Sequence, residues 1–219
     1  MNCFYLDLNA QPNNASSISI PIFQSHNLIQ GRLYIPEFPN TRGSQFLTKS
    51  WVLGEIKLLG KSFTEVPVWY DIQSDDLVLM KIDEGGFDQI ALNTSLIHEF
   101  RFANRQFINL YFSPYAGTNE SHRFFEVLID GTLSLLVKRK LKRLLNNSIA
   151  TFKRDDEWYL GLGNRLYRIS GKKDLFDLFG QENKKAVKQI LKKRKMRFSQ
   201  ASNEDWIELT KSLESLMEN

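Results

Sequence analysis

The sequence predicts a mainly β protein with a C-terminal α part: a curved antiparallel meander (half-barrel, barrel or sandwich) carrying two or three docked helices. Three observations predict it. Short apolar runs from Trp51 to Ile169 alternate in twos and are bounded by Gly, Asn and Asp. Turn signals recur about every 8 to 15 residues, the spacing of an antiparallel meander. After Ser170 and Gly171 the apolar period becomes helical and the outer side fills with lysine.

Residues 1–20 read as a flexible leader or the remnant of a signal peptide, 21–170 as the β body and 171–219 as a helical tail packed on the same domain. The leader lacks a basic start and a full apolar stretch, yet Leu8-Asn9-Ala10 places a small residue where a signal peptidase cuts. Cleavage there would remove Cys3, the one cysteine, and leave a mature chain without disulfides. The competing expectation is a cytoplasmic chain with a disordered N-terminus. No later stretch has 18 uninterrupted apolar residues, so no transmembrane helix is expected.

Pro21, Pro36 and Pro39 break residues 11–50 into peripheral strand material. Gly60-Lys61 follows the run 55–59, and Ser74-Asp75-Asp76 separates 66–72 from 77–82. Gly85-Gly86 precedes 87–92, and Ala103-Asn104-Arg105 joins 96–102 to 106–112. Each turn offers residues that tolerate positive φ or bond their own backbone. Residues 113–121 form the longest loop. Asp130-Gly131 between two apolar runs in 124–138 is the clearest hairpin signal. Strands follow at 149–153 and 158–160, with Gly161-Leu162-Gly163-Asn164 turning into 165–169. In the tail, Leu175, Phe176, Leu178 and Phe179 share a helical face that Gly180 ends. A second helix over 182–195 buries Ala186, Val187, Ile190 and Leu191. Ser202 and Asp205 form a capping box for a third, whose stripe includes Trp206, Leu209 and Leu213.

With 219 residues, 42% hydrophobic and 12% aromatic, the chain has ample material for a core. Its net charge of +4 is polarised: residues 1–100 carry 6 Lys and Arg against 11 Asp and Glu, and residues 101–219 carry 23 against 14. A basic half suits an anionic partner, although lysine-rich helix faces commonly serve solubility.

No stretch assembles a catalytic, metal or nucleotide site. His26, His98 and His122 lie too far apart for paired imidazoles on one helix face. Asp75-Asp76, Asp83-Glu84 and Asp155-Asp156-Glu157 lack calcium-loop spacing and read as turn chemistry. Gly161-Leu162-Gly163 begins a dinucleotide fingerprint but has Leu166 at the third glycine and no helix after it. No catalytic residue, cofactor or metal ligand is therefore assigned, and the chain is read as non-enzymatic.

The basic clusters are the candidate contact residues. Lys138, Arg139, Lys140, Lys142 and Arg143 follow the clearest hairpin, and Lys184, Lys185, Lys188, Lys192 and Lys193 belong to a longer run ending at Arg197. Such groups would neutralise phosphates in a salt-dependent manner. Adjacent aromatics such as Trp69-Tyr70, Phe124-Phe125 and Trp158-Tyr159 put a ring on each face of a strand. One face is core; helices covering the other, or a binding groove there, are the two expectations.

Several of these residues together resemble an uncharacterised family of exported, β-rich bacterial envelope proteins. The resemblance runs over residues 51–218. It rests on Gly54-Glu55-Ile56 with Gly60-Lys61, Val68-x-Tyr70-Asp71-Ile72 with Asp75-x-Leu77-Val78, and Phe125-Glu126-Val127-Leu128-x-Asp130-Gly131. Ser134-Leu135-Leu136-x-Lys138, Lys172-Lys173-Asp174-Leu175 and Leu178-Phe179 continue it. What it implies is an exported protein without known enzymatic activity; it transfers no catalytic residue. The expected function is a non-enzymatic component of an envelope assembly, periplasmic or secreted, with a protein partner, an outer-membrane assembly being one setting. The alternative is a polyanion binder using 138–143 and 184–197, with anionic lipid favoured over nucleic acid.

Overall fold

The computed structural model describes residues 31–37, 41–83, 86–115, 124–146 and 149–217. Expectations for the leader, Cys3, Ala10, Pro21, Pro39, His26, Glu84 and His122 lie outside them. Turn chemistry and alternation produce strands β1 (Gly31–Leu33), β2 (Val52–Leu58), β3 (Lys61–Asp71), β4 (Asp76–Asp83), β5 (Gly86–Leu92), β6 (Ile97–Phe102) and β7 (Arg105–Asn109). They continue as β8 (Phe124–Ile129), β9 (Leu133–Lys138), β10 (Leu141–Asn146), β11 (Ile149–Arg154), β12 (Glu157–Leu162) and β13 (Arg165–Ile169). Helices α1 (Lys172–Arg194) and α2 (Asn203–Glu214) close the chain. Eleven strands form one antiparallel sheet ordered β1-β5-β4-β3-β2-β6-β7-β8-β9-β12-β13, and β10 pairs only with β11 in a separate ribbon.

The sheet is open but strongly curled. Residues 93–96 carry the chain from β5 to β6, which stand four positions apart. Laid flat, four strand spacings are about 19 Å, more than the about 17 Å that five Cα steps span at full stretch. A flat sheet is thus excluded, and part of that link is spent on a 3₁₀ turn at Thr94–Leu96. The curl rolls Tyr70 of β3 onto Phe107 of β7, ring centroids 5.1 Å apart, within a buried cluster that includes Ile56, Val68, Leu77, Phe100 and Phe124. At β2 and β3 a bulge aids the bend: register shifts between Gly54 and Ile56, and Glu65 opposite takes φ 56°.

Residues 42–47 complete the enclosure that the strand ladder leaves open. Leu47 N–H donates to the Tyr70 carbonyl at 3.0 Å and Ile72 N–H to the Gln45 carbonyl at 2.9 Å. At the other end Arg42 N–H donates to the Ala150 carbonyl at 2.8 Å and Phe152 N–H to the Arg42 carbonyl at 3.0 Å. This strap links β3 to the ribbon. It is anchored by buried polar groups: Tyr34 Oη donates to Asp71 Oδ2 at 2.6 Å, and Gln45 Nε2 donates to both Tyr34 Oη (2.6 Å) and Asp71 Oδ2 (2.7 Å). Burial first, then the Asp71 charge, pushes the Tyr34 hydroxyl well above its ordinary pKa and keeps it a donor.

The same concave face continues under the helices. Leu175, Phe179, Val187 and Leu191 of α1 and Trp206, Leu209 and Leu213 of α2 cover Leu133, Leu135, Leu160 and Ile169. Trp206 stacks on Trp158 at 4.8 Å. At the start of α1, Asp174 Oδ2 accepts from the N–H groups of Ser170 (2.7 Å) and Gly171 (3.0 Å). The capping box of α2 forms as its sequence indicates: Ser202 N–H donates to Asp205 Oδ2 at 2.9 Å and Asp205 N–H to Ser202 Oγ at 3.2 Å. Among the described residues no helix is long and apolar enough to cross a membrane.

Five expectations need correction. The break expected at Gly180 is present, its φ of 78° and ψ of 170° being non-helical, but the helical pieces on either side abut at this kink and form the one element α1 rather than two spaced helices. The strand expected over 106–112 ends at Asn109, whose side chain accepts from Tyr111 N–H and starts a 3₁₀ turn. Gly161 and Leu162 belong to β12, leaving Gly163-Asn164 as the turn. The basic stretch after Lys138 contains an additional strand, β10. The convex face is covered by loops rather than helices: Tyr115 and Leu110 pack on Phe125, Leu136 and Tyr159, while Phe46 stacks on Trp69 at 3.6 Å.

Candidate polyanion-binding ribbon

The first basic cluster divides into a buried half and an exposed half. Lys138 is 4% and Arg139 6% exposed, and neither faces solvent as a contact residue would. Arg139 leaves β9 where the chain turns into the ribbon, and it is ringed by acceptors. Nε donates to Glu126 Oε2 at 2.6 Å, one terminal nitrogen to Asp156 Oδ2 at 2.7 Å and the other to Asn203 Oδ1 at 3.1 Å. Arg105 adds a second cation to Glu126 at 3.2 Å. Burial alone would lower the Arg139 pKa, but Glu126 and Asp156 outweigh it and hold the guanidinium above its ordinary value. Arg139 thus ties the sheet, the ribbon base and the start of α2 together.

Glu157 gathers the neighbouring cations. Lys140 approaches it at 2.8 Å, Arg168 at 2.8 Å and Lys138 at 3.7 Å, and Tyr159 Oη donates to it at 3.1 Å. Burial pulls the Glu157 pKa up, but the bond from Lys140 and the charges of Lys140, Arg168 and Lys138 prevail and lower it. Asp156 and Glu157, read from sequence as turn chemistry, are therefore the counter-charge of 138–140. Lys138, Arg139 and Lys140 are corrected from partner contacts to structural ion pairs.

Beyond this base the ribbon carries Lys142, Arg143, Lys153 and Arg154 and no acid between 141 and 154. Antiparallel register sets Lys142 directly opposite Lys153 and Leu144 opposite Thr151 on one face. The other face pairs Leu141 with Arg154, Arg143 with Phe152 and Leu145 with Ala150. Leu141 and Ala150 turn inward, whereas Leu144 is 40% and Leu145 72% exposed. Like charges directly opposite destabilise a strand pair. Neither Lys142 nor Lys153 has an ion pair among the described residues. At the base, burial and then the repulsion of Arg139 and Arg105 lower the Arg154 pKa, with Asp156 opposing. Sequence reasoning included Lys142 and Arg143 but missed Lys153 and Arg154, whose signal is their mirror placement about the turn.

The helical cluster finds local explanations. Lys184 Nζ and Lys188 Nζ lie 5.6 Å and 5.8 Å from the centre of the Phe176 ring. Lys192, Lys193 and Arg194 occupy the last turn of α1, where cations offset the helix dipole. Arg194 also reaches Ser212 Oγ at 2.6 Å. Lys185, Lys188, Lys192 and Lys193 are exposed. The main contacts of α1 are with α2 and β13.

A cleft of about 340 Å³ opens on the convex face. Lys57, His98, Glu99, Asp130 and Ser134 line it. His98 stacks on Phe112 at 3.9 Å, and Ser134 Oγ donates to the Gly131 carbonyl at 3.1 Å rather than to the imidazole. A nucleophile held by a base is the arrangement acyl transfer requires, and Ser134 is not so held. Gly161 lies beneath Tyr115, whose hydroxyl occupies the space a Cβ would need, so this glycine serves close packing rather than phosphate binding. Among the described residues no three His, Cys, Asp or Glu side chains gather to hold a metal ion.

No protein-family model, curated protein or solved structure matches the chain.

Proposed function

We propose that this chain is a non-enzymatic binding protein of the cell envelope, periplasmic or secreted, whose curled sheet holds the β10–β11 ribbon out to an anionic partner. The observation that carries the reading is Lys142 directly opposite Lys153 on one face, with no acid in the ribbon. An arrangement that costs the free ribbon stability gains it back when an external anion neutralises both lysines. The rigid base built on Arg139 and Glu157 supports the same reading, because a contact element fixed in position loses less entropy on binding. The envelope compartment is supported by the strand-and-turn motifs over residues 51–218. An acidic component of an envelope assembly would satisfy the same cations.

A single-stranded oligothymidylate serves as a soluble phosphate polyanion with which to test the ribbon. Neutralising Lys142 and Lys153 predicts a slope of about −1.4 for log affinity against log salt. Charge reversal at Lys142 and Lys153 together removes the binding, while reversal at Lys192 and Lys193 leaves most of it. A salt-independent response, or equal losses from the two pairs, defeats the proposal for the ribbon. Recovery of the native protein solely from a cytosolic fraction defeats the envelope assignment.

A further inference from the structure

The cleft on the convex face is shaped by an irregularity in strand pairing. Lys57 of β2 stands opposite Glu99 of β6, but Leu58 stands opposite Ile97, so His98 is an extra residue in β6. Ile97 and Phe100 both enter the core, and the bulge leaves the two residues between them, His98 and Glu99, to line the cleft together. Strict alternation from Ile97 would turn Glu99 inward. Lys57, His98, Glu99, Gln106 and Asp130 line the cleft and make no hydrogen bond or ion pair among the described residues. Ile108, Val127 and Leu136 supply apolar lining from β7, β8 and β9.

The rim is aromatic and held in place. Phe112, 40% exposed, stacks on His98, and Tyr111, 77% exposed, meets the Phe112 ring edge-on with centroids 5.0 Å apart. Asn109 is buried beneath them: its Nδ2 donates to the carbonyls of Thr94 (3.0 Å) and Ile97 (2.9 Å), and its Oδ1 accepts from Tyr111 N–H at 3.1 Å. A rim fixed beforehand loses less entropy when it closes on a ligand.

The lining selects among ligand classes. An apolar molecule would strand five hydrogen-bonding side chains. An anion would meet Glu99 and Asp130 with Lys57 as the opposing cation, and a compact cation would leave the apolar lining and the rings unused. A sugar hydroxyl both donates and accepts, which suits a lining that mixes donors with acceptors, and the C–H face of a pyranose ring covers apolar lining. A volume of about 340 Å³ lies at the small end of the about 300 to 1,000 Å³ typical of ligand sites, which is room for a mono- or disaccharide.

We infer that this cleft binds a neutral saccharide, independently of the basic ribbon. His98, Glu99, Gln106, Lys57 and Asp130 bond its hydroxyls, and Phe112 packs against a ring face.

The test titrates the full chain, labelled with nitrogen-15, with cellobiose, maltose, lactose and diacetylchitobiose, and with digalacturonate and adenosine as acidic and flat aromatic comparators. The expected result is binding of at least one neutral disaccharide with Kd of about 1 mM or tighter, with amide shifts at His98, Gln106 and Phe112 and none at Lys142 or Lys153. Gln106→Ala and Phe112→Leu each weaken that binding about fivefold, through lost hydrogen bonds and lost ring contact. Both variants bind the oligothymidylate as wild type does, which shows that they are folded, and Lys142→Glu leaves sugar affinity unchanged. Failure of all four neutral sugars to bind overturns the inference, as does undiminished binding in both cleft variants. Tighter binding of digalacturonate or adenosine overturns it too. None of these outcomes bears on the ribbon.

Discussion

Arg139 donates from Nε to Glu126 Oε2 at 2.6 Å, and both residues are buried where β9 leaves the sheet for the ribbon. Two desolvated charges seldom add stability compared with apolar replacements, but removing one partner leaves the other stranded. Glu126→Ala is expected to cost about 3 kcal/mol in urea unfolding, and Arg139→Met a similar amount. Glu126→Leu combined with Arg139→Met is expected to be more stable than either single variant. Single variants within about 1 kcal/mol of wild type would show that the network does not hold the ribbon base.

That pair also marks the limit of what the sequence disclosed. Local signals were legible: Asp130-Gly131 forms the link between β8 and β9, and the Ser202–Asp205 box caps α2, because each depends on residues within a few positions. β10 was hidden because Lys142 and Arg143 interrupt the apolar residues Leu141, Leu144 and Leu145, so basic charge masked the strand. Lys138–Lys140 and Asp155–Glu157 read as two separate clusters because the whole ribbon lies between their partners. Only the strand register brings them together. The strap at 42–47 depends on bonds to β3 and β11, which alternation within the segment does not encode. For the candidate site, the sequence located half of the ribbon and its sign of charge. The confrontation of Lys142 with Lys153 required the pairing.

Glu157 gives the fold a defined acid sensitivity. Its folded pKa lies below the ordinary 4.5, because Lys140, Arg168 and Lys138 overcome the effect of burial. A carboxylate with a depressed folded value contributes its full stability above the unfolded pKa and loses it as pH falls through the folded one. Wild type should therefore lose stability below about pH 4.5 more steeply than Glu157→Gln. Urea unfolding from pH 6 down to about pH 3 reads the difference. Parallel curves for the two proteins would remove Glu157 as the cause.

Gly161 sits where Tyr115 folds over the convex face, and a Cβ there would overlap the Tyr115 hydroxyl and ring. Gly161→Ala is expected to lower stability by about 1 to 3 kcal/mol through overpacking. The loop is predicted to lift, exposing Phe125, Leu136 and Tyr159, the patch that Tyr115 covers. Adding Tyr115→Leu shortens the clashing side chain and should recover part of the loss. Increased amide exchange in β12 and β9 for Gly161→Ala, reversed in the double variant, checks the assignment. Wild-type exchange in Gly161→Ala would contradict it.

Lys142→Glu separates folding from binding at the ribbon. In the wild type two ammonium groups oppose each other across β10 and β11; the substitution sets a carboxylate opposite Lys153. A repulsive cross-strand pair becomes attractive, worth about 1 kcal/mol to the ribbon. Amide exchange in β10 and β11 should slow about fivefold if local opening governs it. The same change removes one cation and adds an anion at the contact surface, so affinity for anionic vesicles at low salt should fall at least about tenfold. A variant more protected in the ribbon and weaker in binding is the expected pair of results. Weaker binding accompanied by faster exchange would instead mean that Lys142 serves the fold, and the ribbon would lose its claim as the contact element.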